Sequence, residues 1–128
     1  MKQLKELLAE VRPQIQTIPV QQAIAWLQNP EYIFVDLRDS AELQAEGKIP
    51  GAVHAHRGGL EFMIDPGTEF HKPVFASGKK FVFYCLGGGR SALGTWTAQQ
   101  MGLQVCDIAG GFKAWKEAGG PVEPLPKP

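Results

Sequence analysis

Two short apolar runs constrain the fold of this chain more than any other feature of its sequence. They are Tyr32-Ile33-Phe34-Val35 and Phe81-Val82-Phe83-Tyr84, and neither alternates between apolar and polar residues. Runs of this length and composition are typical of strands that are buried on both faces, as in a parallel sheet. Such strands need helices on both sides of the sheet to cover them.

The segments between these runs support that interpretation, because predicted strands and helices alternate along the chain. The predicted strands cover residues 17–18, 32–35, 52–53, 81–84 and 103–108. The predicted helices cover residues 2–12, 19–28, 41–45, 91–101 and 112–118, with a further helical turn at 60–64. The sequence therefore predicts an α/β fold with a parallel sheet and helices on both faces.

The chain of 128 residues has the length of one domain, and no internal repeat divides it. Residues 1–16 are predicted to form an N-terminal amphipathic helix and extension, because apolar residues recur there at helical spacing. The domain itself is predicted at 17–123, with an irregular connection at 54–80. A connection of that length is more often functional than idle. Residues 124–128 are proline-rich, and we expect them to form a loose tail.

Charge and cysteine content exclude several classes of protein. Thirteen Lys and Arg balance thirteen Asp and Glu, so net charge does not attract the chain to nucleic acid or to an anionic membrane. The two cysteines are too few for a disulfide framework. The first residues lack the apolar region of a signal peptide, and no apolar run approaches the roughly 20 residues of a membrane span. We therefore predict a cytoplasmic protein with reduced thiols and with neither a nucleic-acid nor a membrane partner.

Cys85 stands where the second apolar run ends and before the helix predicted at 91–101. In open α/β sheets ligands bind beyond the carboxyl ends of the strands, so this position suits a site. Leu86, three glycines at 87–89 and Arg90 follow the cysteine. The glycines allow backbone conformations that other residues avoid, and several N–H groups can then point at one centre.

Such a set of N–H groups at a helix N-terminus favours an anion, which here would be the Cys85 thiolate or its persulfide. Arg90 adds a permanent positive charge that can fork to an oxyanion. A thiolate held in this way is a nucleophile for electrophilic sulfur. The alternative is structural, because cysteine is often buried and a glycine-rich loop is often only a tight turn.

Other anion and metal sites fit this sequence less well. Cysteine-based phosphatases carry five residues between the cysteine and the arginine, whereas four separate Cys85 from Arg90. The shorter loop suits a single sulfur atom better than a phosphate, and the glycine-rich segment matches no nucleotide-binding motif. His54 and His56 share a face of an extended stretch, but no third ligand has a clear spacing, so we predict no metal site. Cys106 is predicted to be a core thiol.

Four motifs, in order along the chain, resemble the single-domain rhodanese-like, or thiosulfate sulfurtransferase, family. They are Val35-Asp36-Leu37-Arg38 with Glu42, Gly47-Lys48-Ile49-Pro50-Gly51-Ala52, Cys85-Leu86-Gly87-Gly88-Gly89-Arg90-Ser91, and Gly110-Gly111-Phe112-Lys113-Ala114-Trp115 with Gly119-Gly120-Pro121-Val122. One motif alone would be weak, but four in the right order are specific. The resemblance implies a rhodanese-like fold with a five-stranded parallel sheet flanked by helices on both faces.

The resemblance also implies a function. Cys85 would be the catalytic residue, taking a sulfane sulfur from thiosulfate, a persulfide or a polysulfide and passing it to a thiophilic acceptor such as cyanide or a thiol. Backbone N–H groups from Leu86 to Arg90 would stabilise the charged sulfur, and Arg90 would orient an anionic donor or hold the loop. The expected substrate-binding residues are Leu86, Gly87, Gly88, Gly89, Arg90 and Ser91. The resemblance implies neither a metal nor an organic cofactor, and the expected partners are a small sulfur-containing anion or thiol, or a protein donor or acceptor.

One departure from the family pattern bears on the sulfur donor. Leu86 stands where thiosulfate-using members often carry a basic residue, which favours a persulfide, a polysulfide or a protein as donor. Two other functions stay open, namely a sulfur-relay carrier and a non-catalytic protein-binding module, although modules of that kind commonly lack the cysteine. A phosphatase or arsenate reductase on a related fold is disfavoured by the four residues between Cys85 and Arg90.

Overall fold

A computed structural model of the chain describes residues 1–126, which contain five strands in one parallel sheet and six α-helices. The strands are β1 (Thr17–Ile18), β2 (Tyr32–Asp36), β3 (Val53–His54), β4 (Lys80–Tyr84) and β5 (Val105–Ile108). The helices are α1 (Leu4–Val11), α2 (Val20–Trp26), α3 (Ser40–Glu46), α4 (Leu60–Ile64), α5 (Gly89–Gln100) and α6 (Gly111–Glu117). The strand order is β1-β5-β4-β2-β3, with β4 in the centre. The expected five-stranded parallel sheet is confirmed.

Both faces of the sheet are covered, because successive residues of a strand point to opposite sides. On β4, Val82 and Tyr84 belong to a core that also includes residues of α2 and α6. Phe81 and Phe83 belong to a second core with residues of α4 and α5. Burial on both sides explains why the sequence of this strand shows no polar alternation.

The N-terminal segment packs along α5. Gln14 accepts a hydrogen bond from Trp96 Nε1 at 3.1 Å with its side-chain oxygen, and from Gln99 Nε2 at 2.8 Å with its backbone oxygen. The helix predicted at 2–12 is a shorter α-helix that continues into a 3-10 turn at Arg12–Gln14. This turn brings the end of the segment against the second half of α5.

Helix α5 begins two residues earlier than the helix predicted at 91–101. Gly88 precedes it with a φ of +116°, a left-handed conformation that turns the chain into the helix. Gly89 and Arg90 therefore lie in the first turn of α5. The irregular loop after β4 is correspondingly short and covers residues 85–88.

The connection predicted to be irregular at 54–80 covers one face of the sheet. It folds into α4 and two 3-10 turns, Arg57–Gly59 and Pro73–Ala76. Leu60 and Phe75 are buried in the same core as the β4 phenylalanines. Much of this connection therefore serves the core.

The end of the described chain is tied to the rest by one antiparallel bridge between Lys48 and Glu123. The loose tail predicted at 124–128 includes two residues, 127 and 128, that lie outside the described part, and it stays a prediction. Across residues 1–126, no helix has the length and apolar character needed to cross a membrane.

Candidate active site

Cys85 lies directly beyond the carboxyl end of β4, the central strand, and is 1% exposed. The neighbouring strands β2 and β5 end at the same edge, because all three strands are parallel. Polar groups at the end of each of these strands can therefore approach the cysteine.

Three groups from the loop and from α5 surround the sulfur of Cys85. The backbone N–H groups of Gly88 and Ser91 donate to Sγ at N–S distances of 3.1 and 3.3 Å. The Ser91 hydroxyl oxygen lies 3.5 Å from Sγ. Converging N–H donors at the start of a helix favour a negative charge on the atom they face. We expected such donors from the range 86–90, and the two observed are Gly88 from that range and Ser91 just beyond it.

The three loop glycines differ in what they contribute. Gly88 has a φ of +116°, whereas Gly87 and Gly89 have no positive φ. Gly88 is therefore the position at which the backbone itself demands glycine. At Gly89 a β-carbon would make only an ordinary contact, 4.0 Å from Leu8 Cδ1 of α1, so packing does not require glycine there.

A polar chain of hydrogen-bonded groups lies next to the sulfur, in which Ser91 and Asp107 are buried and Thr17 is exposed. Ser91 Oγ lies 3.2 Å from the Gly88 carbonyl oxygen and 3.3 Å from Asp107 Oδ2. Thr17 Oγ1 donates to Asp107 Oδ1 at 2.6 Å. Burial raises the pKa of the Asp107 carboxyl above its usual value. Because a hydroxyl carries a single proton, Asp107 and the Gly88 carbonyl compete for the Ser91 proton, while the Ser91 oxygen can accept from the Cys85 thiol.

Asp107 was missed by the sequence analysis, although it carries a recognisable signal. It is fully buried and stands between Cys106 and Ile108 in a strand that is otherwise apolar. A buried carboxyl costs free energy unless it is hydrogen-bonded, so its presence in an apolar strand indicates a specific polar partner. The partner here is the serine that contacts the cysteine.

Arg90 makes a bidentate ion pair with Glu42 of α3. Its Nη1 and Nη2 atoms donate to the two carboxylate oxygens at 2.7 and 3.0 Å. The Arg90 hydrogen bond lowers the pKa of Glu42 below its usual value. Of the two roles considered for Arg90, orienting an anion or holding the loop, this geometry favours holding the loop, because both ends of its fork are occupied.

The first turn of α6 supports the loop that follows β4. The Phe112 N–H donates to the Cys85 carbonyl oxygen at 2.8 Å, and the Lys113 N–H donates to the Leu86 carbonyl oxygen at 3.0 Å. Gly111 makes this approach feasible, because a β-carbon on it would lie 2.5 Å from the Cys85 carbonyl oxygen. These two hydrogen bonds to the first turn of α6 thus hold the backbone of Cys85 and Leu86 in place.

We expect Gly111→Ala to destabilise the protein more than Gly119→Ala. Gly111 and Gly119 both have positive φ, at 59° and 80°, so alanine at either position carries a backbone cost of about 1–2 kcal/mol. No atom lies within 4 Å of a β-carbon on Gly119. At Gly111 the clash with the loop backbone adds about 1–3 kcal/mol, as in other overpacked sites.

Urea unfolding of the two alanine variants measures this difference, and the rate of Cys85 alkylation by iodoacetamide reports on the loop. Gly119→Ala should keep the wild-type alkylation rate, whereas Gly111→Ala should change it. Equal losses of stability with unchanged alkylation in both variants would show that the α6 turn does not support the loop.

The remaining sulfur and loop side chains play different parts. Cys106 is buried in the core, and burial raises the pKa of its thiol to about 12, which keeps it protonated at neutral pH. The expected core thiol is confirmed. Leu86 is 37% exposed at the rim of the loop and brings no charge there.

His54, one of the two histidines considered in the sequence, and Arg57 have structural partners. His54 Nε2 lies 2.7 Å from the Arg38 backbone oxygen, and Arg57 Nη1 forms an ion pair with Glu61 at 3.0 Å. Within residues 1–126, no three His, Cys, Asp or Glu side chains are grouped so as to hold a metal ion.

A surface hollow of about 520 Å³ lies at the opposite end of the sheet. It is lined by Tyr32, Lys80 and Val105, the first residues of β2, β4 and β5. We place the site at Cys85 instead, because ligands of open α/β sheets bind at the carboxyl ends of the strands and the converging donors lie there.

Fold and site together define a parallel α/β protein in which backbone N–H groups converge on a cysteine at the carboxyl edge of the sheet. The model of the rhodanese-like domain family matches residues 19–118. The chain belongs to this family, and the resemblance carried by its four motifs is confirmed.

Solved structures agree with this assignment. The chain is similar to a protein of unknown function from Rhodopseudomonas palustris, described as a possible tyrosine phosphatase, with 48% identity over 96% of each chain and a TM-score of 0.93. It is similar to the polysulfide-sulfur transferase homodimer from Wolinella succinogenes, with 26% identity over 94% of this chain and 87% of that one, and a TM-score of 0.69. It shares its fold with the thiosulfate sulfurtransferase from Pseudomonas aeruginosa, with 24% identity over 86% of this chain but only 19% of that one, and a TM-score of 0.71. No curated protein matches the chain significantly.

Proposed function

We propose that this protein is a sulfurtransferase that carries a sulfane sulfur as a persulfide on Cys85. The observation that carries the proposal is the convergence of the Gly88 and Ser91 N–H groups on the single atom Sγ. Such a cradle suits the negative charge that the outer sulfur of a persulfide carries. Membership of the rhodanese-like family and the sulfurtransferases among its structural relatives point to the same class.

The first half of the cycle loads the cysteine. The Cys85 thiolate attacks the terminal sulfane sulfur of the donor and forms a new S–S bond. The S–S bond within the donor breaks, and the leaving group departs with its electron pair, as sulfite from thiosulfate or as a polysulfide shorter by one sulfur. Cys85 then carries a persulfide anion, and the loop N–H groups remain hydrogen-bond donors to it.

The second half returns the thiolate. A thiophilic acceptor, such as cyanide or a thiolate, attacks the outer sulfur of the persulfide. The bond between the two sulfurs breaks, and its electron pair returns to Cys85. The cycle consumes no oxidant or reductant, because sulfur moves as a neutral atom. A protein can serve as donor or acceptor by the same steps, in which case the chain acts as a relay.

The description of the Rhodopseudomonas relative makes a phosphatase the second candidate. Two observations on this chain weigh against it. Only four residues separate Cys85 from Arg90, and the Arg90 guanidinium is held by both carboxylate oxygens of Glu42. An arginine that binds a phosphate needs its guanidinium N–H groups free to donate to the phosphate oxygens.

The intact mass of the reduced protein, before and after brief exposure to thiosulfate and separately to tetrasulfide, tests the proposal. We expect a gain of one sulfur from at least one donor, and loss of that sulfur with formation of thiocyanate when cyanide is added. Hydrolysis of p-nitrophenyl phosphate is measured in parallel. Hydrolysis without sulfur uptake from either donor would contradict the sulfurtransferase and favour the phosphatase, and absence of both activities would favour a binding module.

A further inference from the structure

The segment before the matched domain lies against the active-site loop. The family model begins at residue 19, whereas α1 and the following 3-10 turn precede it. Leu8 approaches Gly89 at the start of α5, and Gln14 is hydrogen-bonded to Trp96 and Gln99 further along that helix. These contacts fix the segment alongside the helix that carries the Ser91 donor.

Arg12 is the residue of this segment whose charge reaches the loop. A β-carbon on Gly88 would lie 3.9 Å from Arg12 Nη2, and the N–H of the same glycine donates to Cys85 Sγ. The Arg12 charge also lowers the pKa of Asp107, against the larger upward effect of burial. The guanidinium therefore lies beside Gly88, whose N–H donates to the sulfur, and its field extends to Asp107 in the polar chain.

Within residues 1–126 the Arg12 guanidinium forms no ion pair, unlike the guanidinium groups of the other arginines. Arg38, Arg57 and Arg90 each form an ion pair with a carboxylate. In residues 1–126, Arg12 has no carboxylate oxygen within 4.0 Å of its guanidinium nitrogens and makes no side-chain hydrogen bond, and it is exposed. An exposed, unpaired guanidinium beside the loop that holds Cys85 is free to bind an anion.

We propose that Arg12 binds the anionic end of the sulfur donor and supplies, from outside the matched domain, the positive charge that Leu86 does not provide. This inference rests on the proposed function. It assigns the site to small anions that carry a sulfane sulfur at one end and negative charge at the other, such as thiosulfate and polysulfides. Because Cys85 is 1% exposed, the donor must present its terminal sulfur inward and keep its charged end at the surface of the loop, where Arg12 lies beside Gly88.

The leaving group is also an anion that Arg12 can bind. When the thiolate takes the terminal sulfur of thiosulfate, the departing sulfite is a dianion, and the electron pair of the broken S–S bond stays on it. A shortened polysulfide is likewise a dianion. A guanidinium at the entrance stabilises that charge as it develops, so Arg12 acts on transfer from anionic donors more than on the intrinsic reactivity of Cys85.

Alkylation of Cys85 by iodoacetate and by iodoacetamide tests the anion site without any sulfur donor. The two reagents have nearly the same shape and differ in charge, and the modified peptide identifies the cysteine. We expect Arg12→Gln to slow the reaction with iodoacetate about 10-fold, the lower end for a charge-assisted contact, and the reaction with iodoacetamide less than about 2-fold. Arg12→Lys, which keeps the charge, should retain most of the preference for iodoacetate.

Two further variants separate a local from a general electrostatic effect. Lys79→Gln removes one positive charge at the opposite end of the sheet, just before β4, and should leave the ratio of the two rates unchanged. Lys113→Gln removes an exposed charge in the first turn of α6. The proposal would be overturned if Arg12→Gln slowed both reagents equally or left both rates unchanged. It would also be overturned if Lys113→Gln shifted the ratio of the two rates as much as Arg12→Gln does.

Sulfur uptake from thiosulfate and from tetrasulfide completes the experiment. Arg12→Gln should lower kcat/KM for sulfur transfer to Cys85 about 10-fold with each donor that transfers sulfur to the wild-type protein. A donor whose kcat/KM is not lowered in Arg12→Gln does not use Arg12. If neither donor loads the wild-type protein while the alkylation ratio still depends on Arg12, the anion site stands and the sulfurtransferase proposal fails. An unchanged ratio with normal sulfur uptake would instead leave the proposed function standing and remove Arg12 from it.

Discussion

Cys85→Ser is expected to take up no sulfur from thiosulfate or tetrasulfide, a complete loss of the proposed activity. The serine hydroxyl is not ionised at neutral pH and does not attack sulfane sulfur, so the persulfide has no atom on which to form. The fold should persist, because the Gly88 and Ser91 N–H groups that contact Sγ can donate to a hydroxyl oxygen. Intact mass after donor exposure measures the loss, and urea unfolding checks the fold.

Cys106→Ala is the matched control, because it removes the only other cysteine of the chain. Burial keeps the Cys106 thiol protonated, so its removal should leave sulfur uptake intact at a cost in stability of about 1 kcal/mol for the small cavity. The two variants together assign the sulfur to one residue. Uptake that survives in Cys85→Ser and disappears in Cys106→Ala would place the persulfide on Cys106 and contradict the mechanism.

The sheet could be predicted from the sequence because its determinants are local. The runs at 32–35 and 81–84 are continuous in sequence, and burial on both faces removes the polar alternation that marks a half-exposed strand. The loop was recognisable for the same reason, since its cysteine, glycines and arginine are consecutive. The boundary of α5 was less accurate, because Gly89 and Arg90 read as loop residues but are accommodated in the first turn of the helix.

The partners of the loop could not be predicted, because each comes from a distant part of the chain. Glu42 lies 48 residues before Arg90, and the bond between them decides where the guanidinium points. Asp107 reaches Ser91 only because β5 pairs with β4. Arg12 reaches Gly88 only because α1 packs along α5. Sequence motifs therefore single out the candidate nucleophile, while the charges around it depend on packing between elements.

Arg38→Met is expected to lower the free energy of unfolding by about 3–5 kcal/mol, the range observed when one partner of a buried ion pair is removed. Arg38 and Asp36 are both fully buried, and Arg38 Nη2 donates to Asp36 Oδ2 at 2.8 Å and to the Gly47 carbonyl oxygen at 2.7 Å. Methionine fills much of the volume but leaves the Asp36 carboxylate without its counter-ion. Arg57→Met is the control, since its ion pair with Glu61 is partly exposed and should be worth at most about 1 kcal/mol.

The cost of Arg38→Met has two separable causes, the stranded Asp36 charge and the lost contact with Phe112, over whose ring the guanidinium carbon lies 4.3 Å from the centroid. The double variant Asp36→Asn/Arg38→Met removes the charge and retains the packing change. If the stranded charge dominates, urea unfolding should show the double variant to be more stable than Arg38→Met alone, because a neutral amide costs less to bury than a carboxylate. Equal stability of the two variants would show instead that Arg38 serves mainly as packing against α6, the helix whose first turn holds the active-site loop.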